Sequence, residues 1–229
     1  MYDANVDLAS LPRRTQAIII VAVAAGILFL IGRAEDIYWL RMITKPIPVL
    51  AMAFWLTTLP EKGRFQWAVI VGLIFSAAGD ILLEASPGTF IFGLVAFLLG
   101  HIAYIVAFTQ DSRQLFLGRA ALAYGYGVAI FAVLYLAGDL GEMTIPVLLY
   151  VVVICTMLWR AASRVSAPGV AAKTARVGLW GAILFTFSDS LLAVNMFAFT
   201  IPLAGYIVII TYWMAQSDIA LSAGWQRQS

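Results

Sequence analysis

The amino-acid sequence predicts an all-α, polytopic membrane protein: one domain, residues 1–229, built as a bundle of eight transmembrane helices. Three observations predict it. The chain is 63% hydrophobic and only 11% charged, whereas soluble domains run nearer half apolar and about a quarter charged. Its apolar residues fall into eight runs, each near the ~20 residues that a helix needs to cross ~30 Å of hydrocarbon. Its basic residues alternate between loops in the way that orients membrane helices.

The predicted spans are 16–32, 42–59, 66–84, 89–109, 117–136, 144–160, 174–196 and 201–221. Before the first, Arg13-Arg14 and the run Ala17–Ile31 have the look of a signal peptide. No small-residue cleavage site closes that run and seven spans follow, so it is read as a retained helix. The arginine pair lacks the rest of a twin-arginine pattern and reads as an anchor. The second span ends at Leu59-Pro60-Glu61-Lys62-Gly63, the third at Ser86-Pro87-Gly88 and the sixth near Ser166-Ala167-Pro168-Gly169, all turn-forming punctuation. Tyr38, Trp39, Trp67 and Trp225 stand near span ends as interfacial anchors. Gly93 and Gly100 in the fourth span allow close helix packing. No linker or low-complexity tail interrupts the series.

On the side of the N-terminus lie Arg13, Arg14, Lys62, Arg64, Arg113, Arg119, Arg160, Arg164, Lys173, Arg176 and Arg227; on the other lie only Arg33, Arg41 and Lys45. Eleven against three places both termini in the cytoplasm and the protein in the cell membrane. An even number of spans agrees. A weak four-plus-four repeat is visible as well: Gly72, Gly79-Asp80 and Leu82-Leu83 recur 109 residues later as Gly181, Ser188-Asp189 and Leu191-Leu192.

Several functions are excluded. A net charge of +2 is too small and scattered for a nucleic-acid footprint. One cysteine, Cys155, and one histidine, His101, allow neither a disulfide framework nor a thiolate cluster, and leave a zinc site only carboxylates. No metal or cofactor is expected. There is no G-x-S-x-G elbow, no H-E-x-x-H and no glycine-rich phosphate loop.

What remains is a handful of polar residues inside the apolar spans. A charged carboxylate at the centre of a membrane helix costs roughly 2.5–3.5 kcal/mol, so Asp80 and Asp189 must face the bundle interior. They lie about 14 and about 15 residues into their spans, at or beyond the midplane at about 1.5 Å per residue. His101 and Tyr104 share a face of the fourth span, and Tyr212 and Gln216 a face of the eighth. Lys45 precedes Pro46 and Pro48 in the second span. Each also has a structural reading: the aspartates as interhelical partners, His101 and the tyrosines as packing groups, Gln216 as interhelical glue, Lys45 as a snorkelling interface residue. Glu84 and Asp218 are read as solvated boundary residues. Two acids in a low-dielectric site tend to differ in protonation, one neutral and one ionised. Such a pair is equipped for general acid–base work.

At these residues the sequence resembles the YhhN-like lysoplasmalogenases. The matching segments are Lys45-Pro46, Phe75-Ser76-Ala77-Ala78-Gly79-Asp80-Ile81-Leu82-Leu83, Gly100-His101-Ile102-Ala103-Tyr104, Gly181-Ala182-Ile183-Leu184-Phe185, Ser188-Asp189-Ser190-Leu191-Leu192-Ala193 and Tyr212-Trp213-Met214-Ala215-Gln216. Each is short; together they follow the family in order and spacing over most of the chain. Asp218 departs from the pattern and carries no assigned role. The resemblance implies a membrane-embedded hydrolase that cleaves the vinyl ether bond of lysoplasmalogens to a fatty aldehyde and a glycerophospho-head group. Vinyl ethers hydrolyse by protonation at carbon, through an oxocarbenium ion like that of glycoside hydrolysis. Asp80 and Asp189 would be catalytic, in either order of acid and base. Lys45, His101, Tyr104, Tyr212, Trp213 and Gln216 would bind or orient the lysophospholipid, Lys45 at the phosphate and Tyr212 or Trp213 at the amine. The other readings are a small proton- or ion-coupled carrier using the same aspartates and a noncatalytic scaffold. Carriers often break their helices at the site, and neither aspartate has a proline nearby.

Overall fold

A computed structural model describes residues 11–225; Arg227 of the charge count lies outside them. The described residues form nine α-helices and two short 3-10 turns, with no strand. The helices are α1 (Arg13–Ala34), α2 (Tyr38–Thr44), α3 (Ile47–Thr57), α4 (Arg64–Ala85), α5 (Phe90–Phe108), α6 (Leu117–Ala137), α7 (Thr144–Arg164), α8 (Ala172–Phe197) and α9 (Ala204–Trp225). Seven predicted spans coincide with one helix each to within about a turn, because apolar runs bounded by charge or Gly/Pro define both.

The second predicted span, 42–59, is not one helix. Its apolar run is divided into α2 and α3 at Lys45-Pro46. Pro46 and Pro48 lack N–H groups, so the carbonyls of Met42 and Thr44 lose their usual helical donors. The helical path resumes on either side, with the Lys45 N–H donating to Arg41 (3.0 Å) and the Leu50 N–H to Pro46 (3.0 Å). Among the described residues six helical segments are long and apolar enough to cross a membrane, those containing α1, α4, α5, α6, α7 and α8. The broken pair α2–α3 is too short in each half. In α9 the run is diluted by Tyr212, Gln216, Ser217 and Asp218.

The outer faces are apolar. Ile20, Ile27 and Ile31 on α1, Leu122, Val128 and Leu136 on α6 and Ile207 and Ile210 on α9 are all exposed, as side chains in contact with lipid must be. The most intimate packing joins α4 to α5 and α8 to α9. Small residues permit it. A Cβ at Gly72 would lie 2.2 Å from the Tyr104 ring, and one at Gly181 would lie 2.9 Å from the Ala215 carbonyl oxygen. Gly93 and Gly100 also lie in this α4–α5 seam, against Leu83 and against the Gly72 carbonyl. Between the helix pairs runs a core of Phe97, Tyr104, Phe108, Phe185, Tyr212 and Ile219.

The two ends of the bundle differ. At the end where α1 begins, Arg164 is fully buried; its guanidinium pairs with Asp111 at 2.8 Å, donates to the Ser222 hydroxyl at 3.0 Å and lies 4.6 Å from the Phe65 ring centroid. The Gln66 amide donates to the Ala223 carbonyl at 3.0 Å in the same layer. At the opposite end the helices separate around a cavity.

Gly72→Ala should therefore force the buried Tyr104 ring to move and lower thermal stability in detergent by the equivalent of about 1–3 kcal/mol, the usual range for overpacking. Gly125→Ala, where an added Cβ meets nothing within 4 Å, should be neutral or stabilising. Equal melting temperatures for the two variants would contradict this packing.

Candidate active site

The cavity encloses about 290 Å³ and receives side chains from α1, from the α2–α3 break, and from every helix from α4 to α9. Most of its wall is apolar, including Phe29, Leu94, Phe97, Ile130, Val151 and Ile154. Its polar groups are few: Arg33, Lys45, Asp80, Tyr150, Ser188, Asp189, Ser190, Asn195 and Tyr212. A long apolar wall with a small set of convergent polar groups is the form of a small-molecule site.

Both aspartates open onto this one cavity, and each is held by a tyrosine from a different helix. The Tyr212 hydroxyl on α9 donates to Asp80 Oδ2 at 2.8 Å. The Tyr150 hydroxyl on α7 makes a very short hydrogen bond to Asp189 Oδ2. Asp80 is 1% exposed, whereas the Asp189 side chain is 15% exposed. Nearby, the Ser188 hydroxyl ties α8 to the Val208 carbonyl of α9 at 2.9 Å. The carboxylates are thus fixed by phenols rather than by cations.

Lys45 projects into the cavity from the break in the second span. Its ammonium lies 3.3 Å from Glu84 Oε2, while Arg41 Nε donates to Glu84 Oε1 at 2.8 Å. Glu84, expected as a solvated boundary residue, is instead a mostly buried bridge between two cations. It follows Asp80 by one helical turn and marks the rim of the site.

The remaining expected residues stand behind the wall. His101 Nε2 lies 3.8 Å from Asp189 Oδ2, beyond hydrogen-bonding range. Its ring packs edge-on against Phe185 (4.6 Å) and Tyr150 (5.2 Å), and neither nitrogen is hydrogen-bonded. The Tyr104 hydroxyl donates to Gln216 Oε1 at 2.6 Å, fully buried. Trp213 faces the other way, edge-on to Phe29 at 5.5 Å and against Gly26 of α1. The cavity-lining subset of the expected residues is therefore Lys45, Asp80, Asp189 and Tyr212. Sequence reasoning did not single out Tyr150, Arg33, Ser188 or Asn195. Among the described residues no group of three or more His, Cys, Asp or Glu could hold a metal ion.

Residues 40–223 match the model of the YhhN family. The chain is 32% identical to lysoplasmalogenase TMEM86B of Rattus norvegicus over 88% of its own length and 81% of the relative's. It is 34% identical to lysoplasmalogenase TMEM86B of Sus scrofa, covering 80% and 75% of the two chains. The lysoplasmalogenase of Mycobacterium bovis is 31% identical over 71% of this chain and 61% of its own. No solved structure matches.

The two hydroxyl–carboxylate bonds differ in kind from the contact of His101. Tyr150→Phe removes a donor from a partly buried carboxylate and should cost about 1–3 kcal/mol, read as a lower melting temperature in detergent. His101→Phe exchanges an unpaired polar ring for an apolar one in an aromatic pocket and should leave the melting temperature unchanged or raise it. A large loss for His101→Phe would mean that the imidazole holds the fold.

Proposed function

The chain belongs to the YhhN family, and from that premise we propose that it is a lysoplasmalogenase, hydrolysing the vinyl ether bond of lysoplasmalogens within the membrane. One observation carries the mechanism: two carboxylates, Asp80 and Asp189, each fixed by a tyrosine hydroxyl, open onto a single apolar cavity.

The reaction begins when one aspartate, in its acid form, gives its proton to the β-carbon of the alkenyl group. The C=C electrons form the new C–H bond, and an ether oxygen lone pair generates an oxocarbenium ion. The second aspartate, ionised, stabilises that cation and takes a proton from an attacking water. The hemiacetal so formed breaks its C–O bond to the glycerol as the second aspartate returns its proton to the departing glycerol oxygen and the first takes the hydroxyl proton, releasing fatty aldehyde and the glycerophospho-head group and restoring both carboxyl groups. Tyr150 and Tyr212 are positioning residues, since each orients one carboxylate. The hydrocarbon chain lies along Phe97, Ile130, Val151 and Ile154. Lys45 takes the phosphate in competition with Glu84, and the ring of Tyr212 is the aromatic group available to an amine; Trp213, packed on α1, is not. His101, Tyr104 and Gln216 support the cavity wall from behind.

The carrier reading has one feature in its favour, the break at Lys45-Pro46. Yet α4 and α8 are continuous through Asp80 and Asp189, and the relatives named above are lysoplasmalogenases. In the membrane, the kinked pair α2–α3 and the polar helix α9 supply two crossings beyond the six strongly apolar segments, eight in all. Both termini are cytoplasmic by the distribution of basic residues, in the cell membrane, and the cavity faces the opposite side. The matched motifs of α4 and α8, each helix tightly paired with its successor, support a four-plus-four duplication.

Asp80→Asn and Asp189→Asn should each reduce aldehyde release from lysoplasmalogen by about 10²–10⁴-fold without lowering the melting temperature. The double variant should be little worse than either, because groups acting as one unit are not additive. Near wild-type turnover by either folded variant would make that carboxylate structural. Lys45→Met should raise KM more than it lowers kcat.

Topology is checked separately. Reporter fusions after Ser229 and within residues 137–143 should report opposite sides of the membrane. The same side for both would remove a crossing.

A further inference from the structure

Most of the charged groups at the rim of the cavity are joined in ion pairs. Asp36, Arg41, Glu84 and Lys45 form a connected series of ion pairs, two acids with two bases. Arg33, in the last turn of α1, lines the same cavity but stands outside that series. Among the described residues no carboxylate lies within ion-pair distance of it. Arg33 is exposed, yet its guanidinium is placed against α9. Its guanidinium carbon sits 5.3 Å from the Tyr206 ring centroid. Its Nη2 occupies the space of a side chain at position 205, 1.7 Å from where a Cβ would be. Only glycine at 205 lets the guanidinium lie against the first turn of α9.

We propose that Arg33, held across Gly205 and Tyr206, is a phosphate-binding residue, gripping the phosphodiester of a lysophospholipid whose chain fills the cavity beneath. The proposal rests on the lipid-hydrolase reading and extends it to a residue outside the 40–223 family match. The chemistry suits it: a planar guanidinium offers paired donors to phosphate oxygens. So does the spacing. In a lysophospholipid the phosphate and the sn-1 oxygen are separated by the three glycerol carbons. Asp80 lies one helical turn, about 6 Å along the axis, below Glu84 at the rim. A phosphate held at the rim by Arg33 therefore leaves the vinyl ether at the depth of the aspartates.

Binding of uncleavable ligands tests this without relying on turnover. The probes are a radiolabelled, saturated 1-O-alkyl lysophospholipid, the matching 1-O-alkylglycerol without phosphate, and inorganic phosphate, each with purified protein in detergent. Wild type should bind the lysophospholipid about 10- to 100-fold more tightly than the alkylglycerol, and inorganic phosphate far more weakly than either. Arg33→Gln should cut that preference by about tenfold, Lys45 supplying what remains, while leaving alkylglycerol affinity unchanged, and Arg33→Lys should lose less of it. Gly205→Ala, which keeps the charge but displaces the guanidinium, should also reduce it. An undiminished preference in Arg33→Gln, or equal losses for both lipids, would overturn the proposal. Tight binding of inorganic phosphate alone would overturn its lipid assignment. Aldehyde release is measured in parallel: its absence from wild type, with the binding preference intact, overturns the hydrolase reading and leaves the Arg33 subsite standing.

Discussion

A carboxylate surrounded by hydrocarbon has no water to solvate it, and the protein must supply every partner it needs. An unpaired buried polar group costs several kcal/mol, and lipid-facing placement of Asp80 or Asp189 would cost more than a marginally stable bundle can bear. That constraint sets the rotation of α4 and α8 about their own axes. Once Asp80 turns inward to the Tyr212 hydroxyl, the opposite face of α4, with Val71 and Ile74 exposed, must meet lipid. Once Asp189 turns toward Tyr150, Ile183 and Phe187 of α8 are exposed in the same way. Tyrosine is a fitting partner because it satisfies the carboxylate without importing a second charge to be desolvated. It also brings in no cation, where a salt bridge to lysine or arginine would hold the carboxylate ionised.

The break at Lys45-Pro46 is governed by the same constraint from the other direction. A lysine inside an apolar span needs either a path to the surface or an acid. The kink provides both, since it leaves Lys45 near the rim and brings its ammonium to Glu84, one turn from Asp80. The prolines release the carbonyls of Met42 and Thr44 from the helical ladder, and irregular backbone at membrane depth is tolerated where it lines a cavity. The cations therefore gather at the rim, and Asp80 lies one turn deeper on α4. Such an order suits a ligand that is ionic at one end and apolar at the other.

Much of this was legible in the sequence, and the exceptions have physical causes. Apolar runs bounded by charges located seven helices to within about a turn, and the cost of buried charge picked out Asp80, Asp189 and Lys45, all of which line the cavity. The 42–59 run read as unbroken because hydropathy averages over a proline that the backbone cannot ignore. Tyr150 went unnoticed because a phenol in a leucine- and valine-rich run has no local partner; its meaning comes from Asp189, 39 residues later. Tyr212 and Trp213 were both expected at the substrate, yet successive helical residues point about 100° apart. Tyr212 took the cavity and Trp213 took α1. Arg164 enters the sequence reading only as one of eleven basic residues on the side of the N-terminus, and nothing in its neighbours announced that it would be fully buried against Asp111.

That buried arginine bears on direction of access. At the end where α1 begins, Arg164, Asp111, Ser222 and the Gln66–Ala223 bond form a closed polar layer, and Arg160 adds a bond to the Gln114 carbonyl at 2.9 Å. At the other end the cavity is rimmed by Arg33, Lys45 and Asn195. An ion-coupled carrier needs a site that can open to either side, and opening the closed end would expose or unpair Arg164, a step that costs about 3–5 kcal/mol when a buried ion pair is broken. A hydrolase needs no second opening. Its substrate carries a charged head that must stay at one surface and a chain that must stay in the bilayer. Of its products, the aldehyde can leave into lipid and the head group by the rim through which it came. One closed end and one charged rim are therefore what hydrolysis of a single-chain lipid requires, and they make the aspartates the floor of a pocket rather than stations along a path.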